Sequence, residues 1–208
     1  MRIGFIGAGR MGGTLATLLA RAGHHVLVSN SRGPESLGDL VAAAGPHAEA
    51  VTAADAAKLG EVVIITLPWG RPEALPKPDA VAGKIVVDAM NAFGRAGGHS
   101  GAGKPTTTEQ TAAALPGARV VKAFNTLNFE LMRAAAGRSG ATRLSLFVAG
   151  DDTAAKQVVA GLMNDMDFAA IDTGTLADGG RLQQPGSRIF NKQLTEAEAR
   201  RLVPAAGT

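Results

Sequence analysis

An α/β domain built on a doubly wound, mostly parallel sheet is the fold class that this 208-residue sequence predicts. Three observations predict it. Apolar runs of about five residues recur along the chain, as strands buried on both faces require. Most of these runs lead into a segment with apolar residues at helical spacing, the alternation of a sheet wrapped by crossover helices. The length suits one well-buried domain and is too short for two ordinary ones, and no internal stretch has the composition of a linker.

Residues 2–6 (RIGFI) form the first apolar run and end in glycine. From Arg10 the pattern changes: Leu15, Leu18, Leu19 and Ala22 recur at helical spacing, and Gly23 supplies the stop. Residues 25–29 (HVLVS) read as a second strand and 34–44 as a helix with Pro34 near its first turn. A brief third strand follows at 48–51, and Thr52 caps the next helix. EVVIIT (61–66), closed by Leu67-Pro68, and KIVVDAM (84–90) are the fourth and fifth strands. Residues 94–105, rich in Gly, Ser and Pro, read as a surface loop. Then helices at 106–115, 128–136 and 152–164 alternate with strands at 119–124, 143–149 and 168–172. The tail from 174 reads as irregular, with a short helix near 195–203.

Composition removes several classes of function. With 46% hydrophobic and 19% charged residues the chain is a globular protein. A net charge of +3 favours anionic ligands modestly, but no basic run or aromatic stacking set points to nucleic acid. The apolar start is broken by glycine too early for a signal peptide, and no window approaches a membrane span. A cytoplasmic protein without a membrane partner is the expectation. Cysteine is absent, which excludes disulfides, thiolate metal sites and thiol nucleophiles. Tyrosine is absent too, which removes every reductase mechanism that uses a tyrosine proton donor. His24, His25, His47 and His99 have no ligand spacing with the carboxylates, so no metal is expected.

Gly7-Ala8-Gly9-Arg10-Met11-Gly12 matches G-x-G-x-x-G between an apolar strand and an amphipathic helix. In that context Gly7 permits the tight turn, Gly9 lets the backbone approach a pyrophosphate, and Gly12 allows close helix-to-strand packing. The N-terminal amides of the helix then hold the anion. The whole therefore reads as a Rossmann-type NAD(P)-binding fold, with residues 1–175 as the nucleotide-binding domain and 176–208 as an extension packed on it. At the end of the second strand, where an NAD enzyme places an acid for the ribose hydroxyls, the chain has Ser29-Asn30-Ser31-Arg32. A carboxylate there repels a 2′-phosphate, whereas Arg32, with Ser31 and Asn30 beside it, suits one. NADP(H) is the expected cofactor.

Ligands of such folds lie outside the carboxyl ends of the strands. Candidates there are Thr66, Leu67, Pro68 and Trp69, then Ala89, Met90 and Asn91, with Asn125 and Thr126 toward the substrate; Gly150-Asp151-Asp152 lies further along. Trp69 is either a cover for a flat ring or a packing residue, and Asp152 most simply caps the helix that follows. His99 and Lys122 are the only weak candidates for a catalytic proton donor; each has a plain alternative, as a solvated loop histidine and as a lysine lining the sheet edge.

With these residues in view, the chain resembles the NADPH-dependent reductases of the deazaflavin coenzyme F420 over roughly residues 2–175. The resemblance rests on IGFIGAGRMG, the Ser31-Arg32 pair, Leu-Pro-Trp after the fourth strand, VVKAFNT, and AGDD before a helix. It implies NADPH on the glycine loop with Ser31 and Arg32 at the 2′-phosphate, a deazaflavin near the nicotinamide, and a homodimer. Asp88-Ala89-Met90-Asn91 and the tail GGRLQQPGSRIFNKQLTEAEARRLV look closer to a dinucleotide-binding subgroup of that family than to its archaeal deazaflavin reductases. The opening also resembles β-hydroxyacid dehydrogenases, imine reductases and pyrroline carboxylate reductases. Those build the substrate pocket from an added helical domain, for which this chain has little room. The expected activity is hydride transfer between NADP(H) and a flavin-like acceptor, preferably F420, because cofactor rings do that chemistry themselves. The alternatives are an NADPH-dependent reductase of a small carbonyl, imine or quinone, which needs a proton donor, and a non-catalytic NADP-sensing module.

Overall fold

The computed structural model describes residues 1–93 and 104–203. Eight strands form one sheet in the order β3-β2-β1-β4-β5-β6-β7-β8. They are β1 (Arg2–Ile6), β2 (His25–Ser29), β3 (Ala48–Ala50), β4 (Val62–Ile65), β5 (Ile85–Asp88), β6 (Arg119–Ala123), β7 (Ser145–Gly150) and β8 (Ala169–Gly174). The first six run parallel, with chain order reversing between β1 and β4, which opens the crevice where dinucleotides lie in such sheets.

Burial explains why the strands read as continuous apolar runs. In β4 and β5 every residue is buried, since helices cover both faces of the sheet. Helix α1 (Arg10–Arg21) lays Leu15, Ala16 and Leu19 on one face, in a core shared with Ile3, Phe5 and Val26. Helix α3 (Ala53–Leu59) buries Ala56 and Ala57 against Ile6, Val63 and Ile65 on the other face. Side-chain caps fix several helix starts. Thr52 Oγ1 accepts from Asp55 N at 3.1 Å, and Asn128 Oδ1 from Leu131 N at 2.9 Å at the start of α6 (Phe129–Ala135). Thr106 and Glu109 form a reciprocal capping box at α5 (Thr107–Ala114).

Four features depart from the expectation. Residues 34–44 split into a 3-10 turn, Pro34–Leu37, followed by α2 (Gly38–Ala44). A short helix α4 (Pro78–Val81), with Pro78 in its first turn, precedes β5. Strand β7 is antiparallel to β6, pairing Val121 with Gly150 and Ala123 with Val148. Gly150 and Asp152 therefore lie toward the start of β6, where Asp152 pairs with Arg119, and not at the ligand edge. Asp152 also caps α7 (Thr153–Asp165) by accepting from Ala155 N at 2.9 Å.

The tail is more ordered than its composition suggests. Helix α8 (Asp178–Leu182) packs so closely on β8 that a Cβ at Gly179 would stand 2.6 Å from the Thr173 backbone. Helix α9 (Glu196–Leu202) seats Ala199 in a small core with Phe147, Ile171 and Ile189. Among the described residues, no helix is long and apolar enough to cross a membrane and no cluster of His, Asp or Glu has the makings of a metal site.

Candidate active site

The strand-to-helix turn after β1 is shaped by three glycines in three different ways. Gly7 has φ +105°, a backbone region that disfavours side chains, and its N–H donates to Ser29 O at 3.1 Å. A Cβ at Gly12 would sit 2.2 Å from Gly7 O and 2.5 Å from Thr66 Oγ1, so only glycine lets α1 approach the sheet. A Cβ at Gly9 would meet no protein atom within 4 Å. The open space there keeps the backbone approachable from outside the chain. Gly9 is also the N-cap of α1, with no side-chain cap and no acid in the first turn, and the first helical amides lack intrahelical partners. Thr66 Oγ1 donates to Gly7 O at 2.7 Å and ties the turn to β4.

A cleft of about 740 Å³ opens beside this turn, between the ends of β1 and β2, α3 and the 73–80 segment. Gly7, Asn30, Ser31 and Leu67 line it. The loop after β2 is pre-shaped: Asn30 Oδ1 accepts from Arg32 N at 2.8 Å, and Asn30 Nδ2 donates to Ser36 Oγ at 2.8 Å. Ser29, at the end of the strand, is buried and spends its hydroxyl on Phe5 O at 2.6 Å. Ser31 and Arg32 are exposed, and among the described residues the Arg32 guanidinium has no ion pair.

A second cleft of about 420 Å³ lies on the other side of the turn, at the carboxyl ends of β4, β5 and β6. It brings together Met11, Thr66, Leu67 and Pro68 with Ala89, Met90, Asn91 and Asn125. The rest of its wall is Phe93, Leu127, Asn128 and Phe129, joined by Phe190 and Asn191 from the tail. Phe93 is 69% exposed and meets Phe190 edge-on, ring centroids 6.2 Å apart. None of the described residues that line this cleft is ionisable.

Two amides hold the floor of this cleft in a fixed pose. Asn91 Nδ2 donates to Asn125 O at 2.8 Å, and Asn125 Nδ2 donates to Asn91 Oδ1 at 3.0 Å and to Gln183 O at 2.7 Å. Asn125 Oδ1 is buried and without a partner. Phe124, just before it, has φ +61° although it is fully buried, so the chain turns sharply off β6 at this point.

Lys122 lies beneath the floor and outside the cleft. It is 1% exposed; its Nζ donates to Met90 O and, at 3.3 Å, to Asp88 Oδ1. Asp88, 0% exposed, also accepts from Met90 N and from Thr111 Oγ1, each at 2.9 Å. Burial pulls the lysine below its ordinary pKa, and the attraction of Asp88 offsets only part of that shift. The group thus fastens the 88–91 segment from below. Trp69 is half-buried against the core beneath α3 and borders a separate 270 Å³ hollow with Met90 and Thr111. Thr126 is buried and its carbonyl accepts from Asn191 N at 2.6 Å. His99 falls outside the described residues.

Sequence reasoning missed the aromatic and tail residues of the second cleft. Phe93 follows the fifth strand without any periodicity, and Phe190 sits in a segment with no regular pattern.

Residues 2–92 match the family model described as NADP oxidoreductase coenzyme F420-dependent. A solved structure of a hypothetical protein, SMa0349 from Sinorhizobium meliloti, is 34% identical, covers 94% of this chain and 95% of that one, and superposes with a TM-score of 0.81. The match covers less than half of the chain, so likeness to the F420-dependent NADP oxidoreductase family is shown for residues 2–92. A second solved structure, a candidate F420-dependent NADP-reductase from Arthrobacter sp. FB24, is 28% identical over 93% of this chain and 99% of its own, with a TM-score of 0.74. Its fold spans the same length, so the single-domain architecture is common to all three. By contrast, the Mycobacterium tuberculosis 3-hydroxyisobutyrate dehydrogenase is 20% identical with a TM-score of 0.61, and this chain spans 56% of its length. That likeness concerns the fold alone. No curated protein matches the chain. The family match and the Arthrobacter structure support an NADP-linked oxidoreductase.

Proposed function

We propose that the protein transfers a hydride between NADP(H), held by the glycine turn and the 740 Å³ cleft, and a flavin-like acceptor in the 420 Å³ cleft, coenzyme F420 by preference. One observation carries the reading. The second cleft has an apolar, aromatic wall and two fixed amides, and none of its described lining residues can give or take a proton. Reduction of a carbonyl or imine needs a positioned donor for the developing charge, whereas exchange between two rings needs alignment and exclusion of water.

The residues fit the dinucleotide, as the open space at Gly9 and the uncapped, acid-free first turn of α1 indicate. Gly7, Ala8, Gly9, Arg10, Met11 and Gly12 would hold the pyrophosphate, and Asn30, Ser31 and Arg32 the 2′-phosphate. Bound there, the nicotinamide supplies or receives the hydride. Leu67 lines both clefts, and with Thr66 and Pro68 of the second it would set the approach of the rings. Asn91 and Asn125, each fixed by the other, present amide groups to the polar edge of the acceptor, and Phe93, Phe129 and Phe190 exclude water. We take residues 176–208 as an extension of the same domain, and the working form as a cytoplasmic homodimer; light scattering of the purified chain checks the second point.

The test is NADPH oxidation by the purified protein with F420, FMN and FAD as separate acceptors. Rapid bleaching of the deazaflavin supports the proposal. Tight NADPH binding without turnover of any of the three overturns it.

A further inference from the structure

We propose that Asn125 is a specificity-determining residue of the second cleft: its Oδ1 accepts an N–H from the bound ring, so that acceptors bringing only oxygen atoms to that edge are disfavoured. The inference rests on the assignment of the 420 Å³ cleft to the acceptor.

Two main-chain carbonyls fix which end of each amide does what. A main-chain carbonyl only accepts, so the group 2.7 Å from Gln183 O is the NH2 of Asn125. By the same rule the group 2.8 Å from Asn125 O is the NH2 of Asn91. The contact between the two side chains, Asn125 Nδ2 to Asn91 Oδ1 at 3.0 Å, agrees with both assignments and uses the second hydrogen of Asn125. The Asn125 amide therefore has no hydrogen left to give. What it keeps is Oδ1, which is buried and has no hydrogen-bond partner among the described residues. Turning the amide over would set its oxygen against two other oxygens and leave the NH2 unmade, so the polarity is locked.

A buried acceptor without a donor is costly, and an N–H brought by a ligand in the cleft removes that cost. Asn91 lines the same cleft, and its Nδ2 makes one bond among the described residues, which leaves it one hydrogen. An acceptor and a donor on one floor suit a ring edge with an N–H beside a carbonyl, as a pyrimidinedione has. A quinone has carbonyls alone and would set an oxygen against Oδ1. None of the described lining residues is ionisable, so hydrogen bonding and not charge makes the discrimination.

The experiment measures NADPH oxidation by the full chain with 5-deazariboflavin, with its N3-methyl derivative, which has lost the ring N–H, and with menadione. Expected for the parent chain is a kcat/KM for 5-deazariboflavin at least about tenfold above that for either of the others, the scale of one hydrogen bond to a buried group. In Asn125→Ala the rate with 5-deazariboflavin falls and both preferences shrink to about twofold or less. A merely structural asparagine would lower all three rates and keep the ratios. Menadione is the smaller molecule, so its gain relative to 5-deazariboflavin excludes the bulk of the methyl group as the cause. Should Asn125→Ala fail to fold, the three acceptors on the parent chain decide. Equal use of the three by the parent chain, or preferences unchanged in Asn125→Ala, overturns the proposal. So does a loss that falls instead on the 3-acetylpyridine analogue of NADPH, which has a methyl where the carboxamide has NH2, since Asn125 would then hold the nicotinamide. If no acceptor turns over, the hydride-transfer reading fails separately. Fluorescence titration of the two deazaflavins with the NADP⁺-loaded protein then decides: tighter binding of the N–H ring that Asn125→Ala removes supports the role, and equal binding overturns it.

Discussion

Replacing Lys122 by Met tests whether the buried lysine fastens the site or works within it. Both partners of the Lys122–Asp88 pair are almost wholly buried, so the substitution leaves a carboxylate without its counter-charge. Breaking a buried pair from one side costs about 3–5 kcal/mol. Asp88 keeps its bonds from Met90 N and Thr111 Oγ1, which places the loss at the lower end, ~3 kcal/mol. For a chain of this length that corresponds to a fall of about 6–12 °C in Tm. Calorimetry or thermal circular dichroism reads it, and the double variant Asp88→Asn/Lys122→Met should recover much of the loss because no lone charge remains. The pH dependence follows from the lowered lysine pKa. Between that lowered value and the unfolded value of 10.5, the unfolded chain binds more protons than the folded one, so stability rises with pH across this window. The rise should be absent in Lys122→Met. In kinetics at a permissive temperature, the KM for the acceptor should increase while the pH–rate profile keeps its shape. A Tm within about 2 °C of the parent, or loss of one limb of the pH–rate profile, refutes the positioning role.

Other outcomes are equally definite. Arg32→Ala should weaken NADPH binding by about tenfold and leave NADH binding unchanged, the lower end of the range for a charge-assisted contact because Arg32 is exposed; equal losses in titration calorimetry would exclude a 2′-phosphate contact. Gly12→Ala must displace either the Gly7 carbonyl or the start of α1, so NADPH binding should fall below detection in a protein that is also less stable. Asp152, held well below the ordinary carboxylate range mainly by Arg119 and then by Ala155 N, gives stability that is complete above the unfolded value near pH 3.8 and is lost as pH falls toward its folded value. Arg119→Ala should therefore move the acid-unfolding midpoint upward, and an unchanged midpoint would show that the exposed pair contributes nothing.

The parts of the molecule that were legible in the sequence share a local cause. RIGFI, VVII and IVVD read as strands because both their faces are buried, and the glycine motif reads as a turn because each glycine answers a backbone demand within a few residues. The direction of β7 is different. SLFVAG is buried at every position whether it runs up or down the sheet, so no periodicity distinguishes the two, and Gly150-Asp151-Asp152 was expected at the ligand edge for that reason. Helix α8 escaped notice because Asp178-Gly179-Gly180-Arg181-Leu182 has poor intrinsic helix propensity; Gly179 is there for close packing on β8. Half of the second cleft was visible, since Asn91 and Asn125 end apolar strands. Phe190 and Asn191 reach it only through the folded path of the tail, and no local signal encodes that path.

The contribution of Gln183, Phe190 and Asn191 sets an order of assembly during synthesis. A ribosome releases the glycine turn and the first six strands long before the residues that close the acceptor wall emerge. Until residues 183–191 emerge, the second cleft lacks the part of its wall that Phe190 and Asn191 supply. The bonds from Asn125 to Gln183 and from Asn191 to Thr126 make the late-emerging tail part of the second cleft's wall.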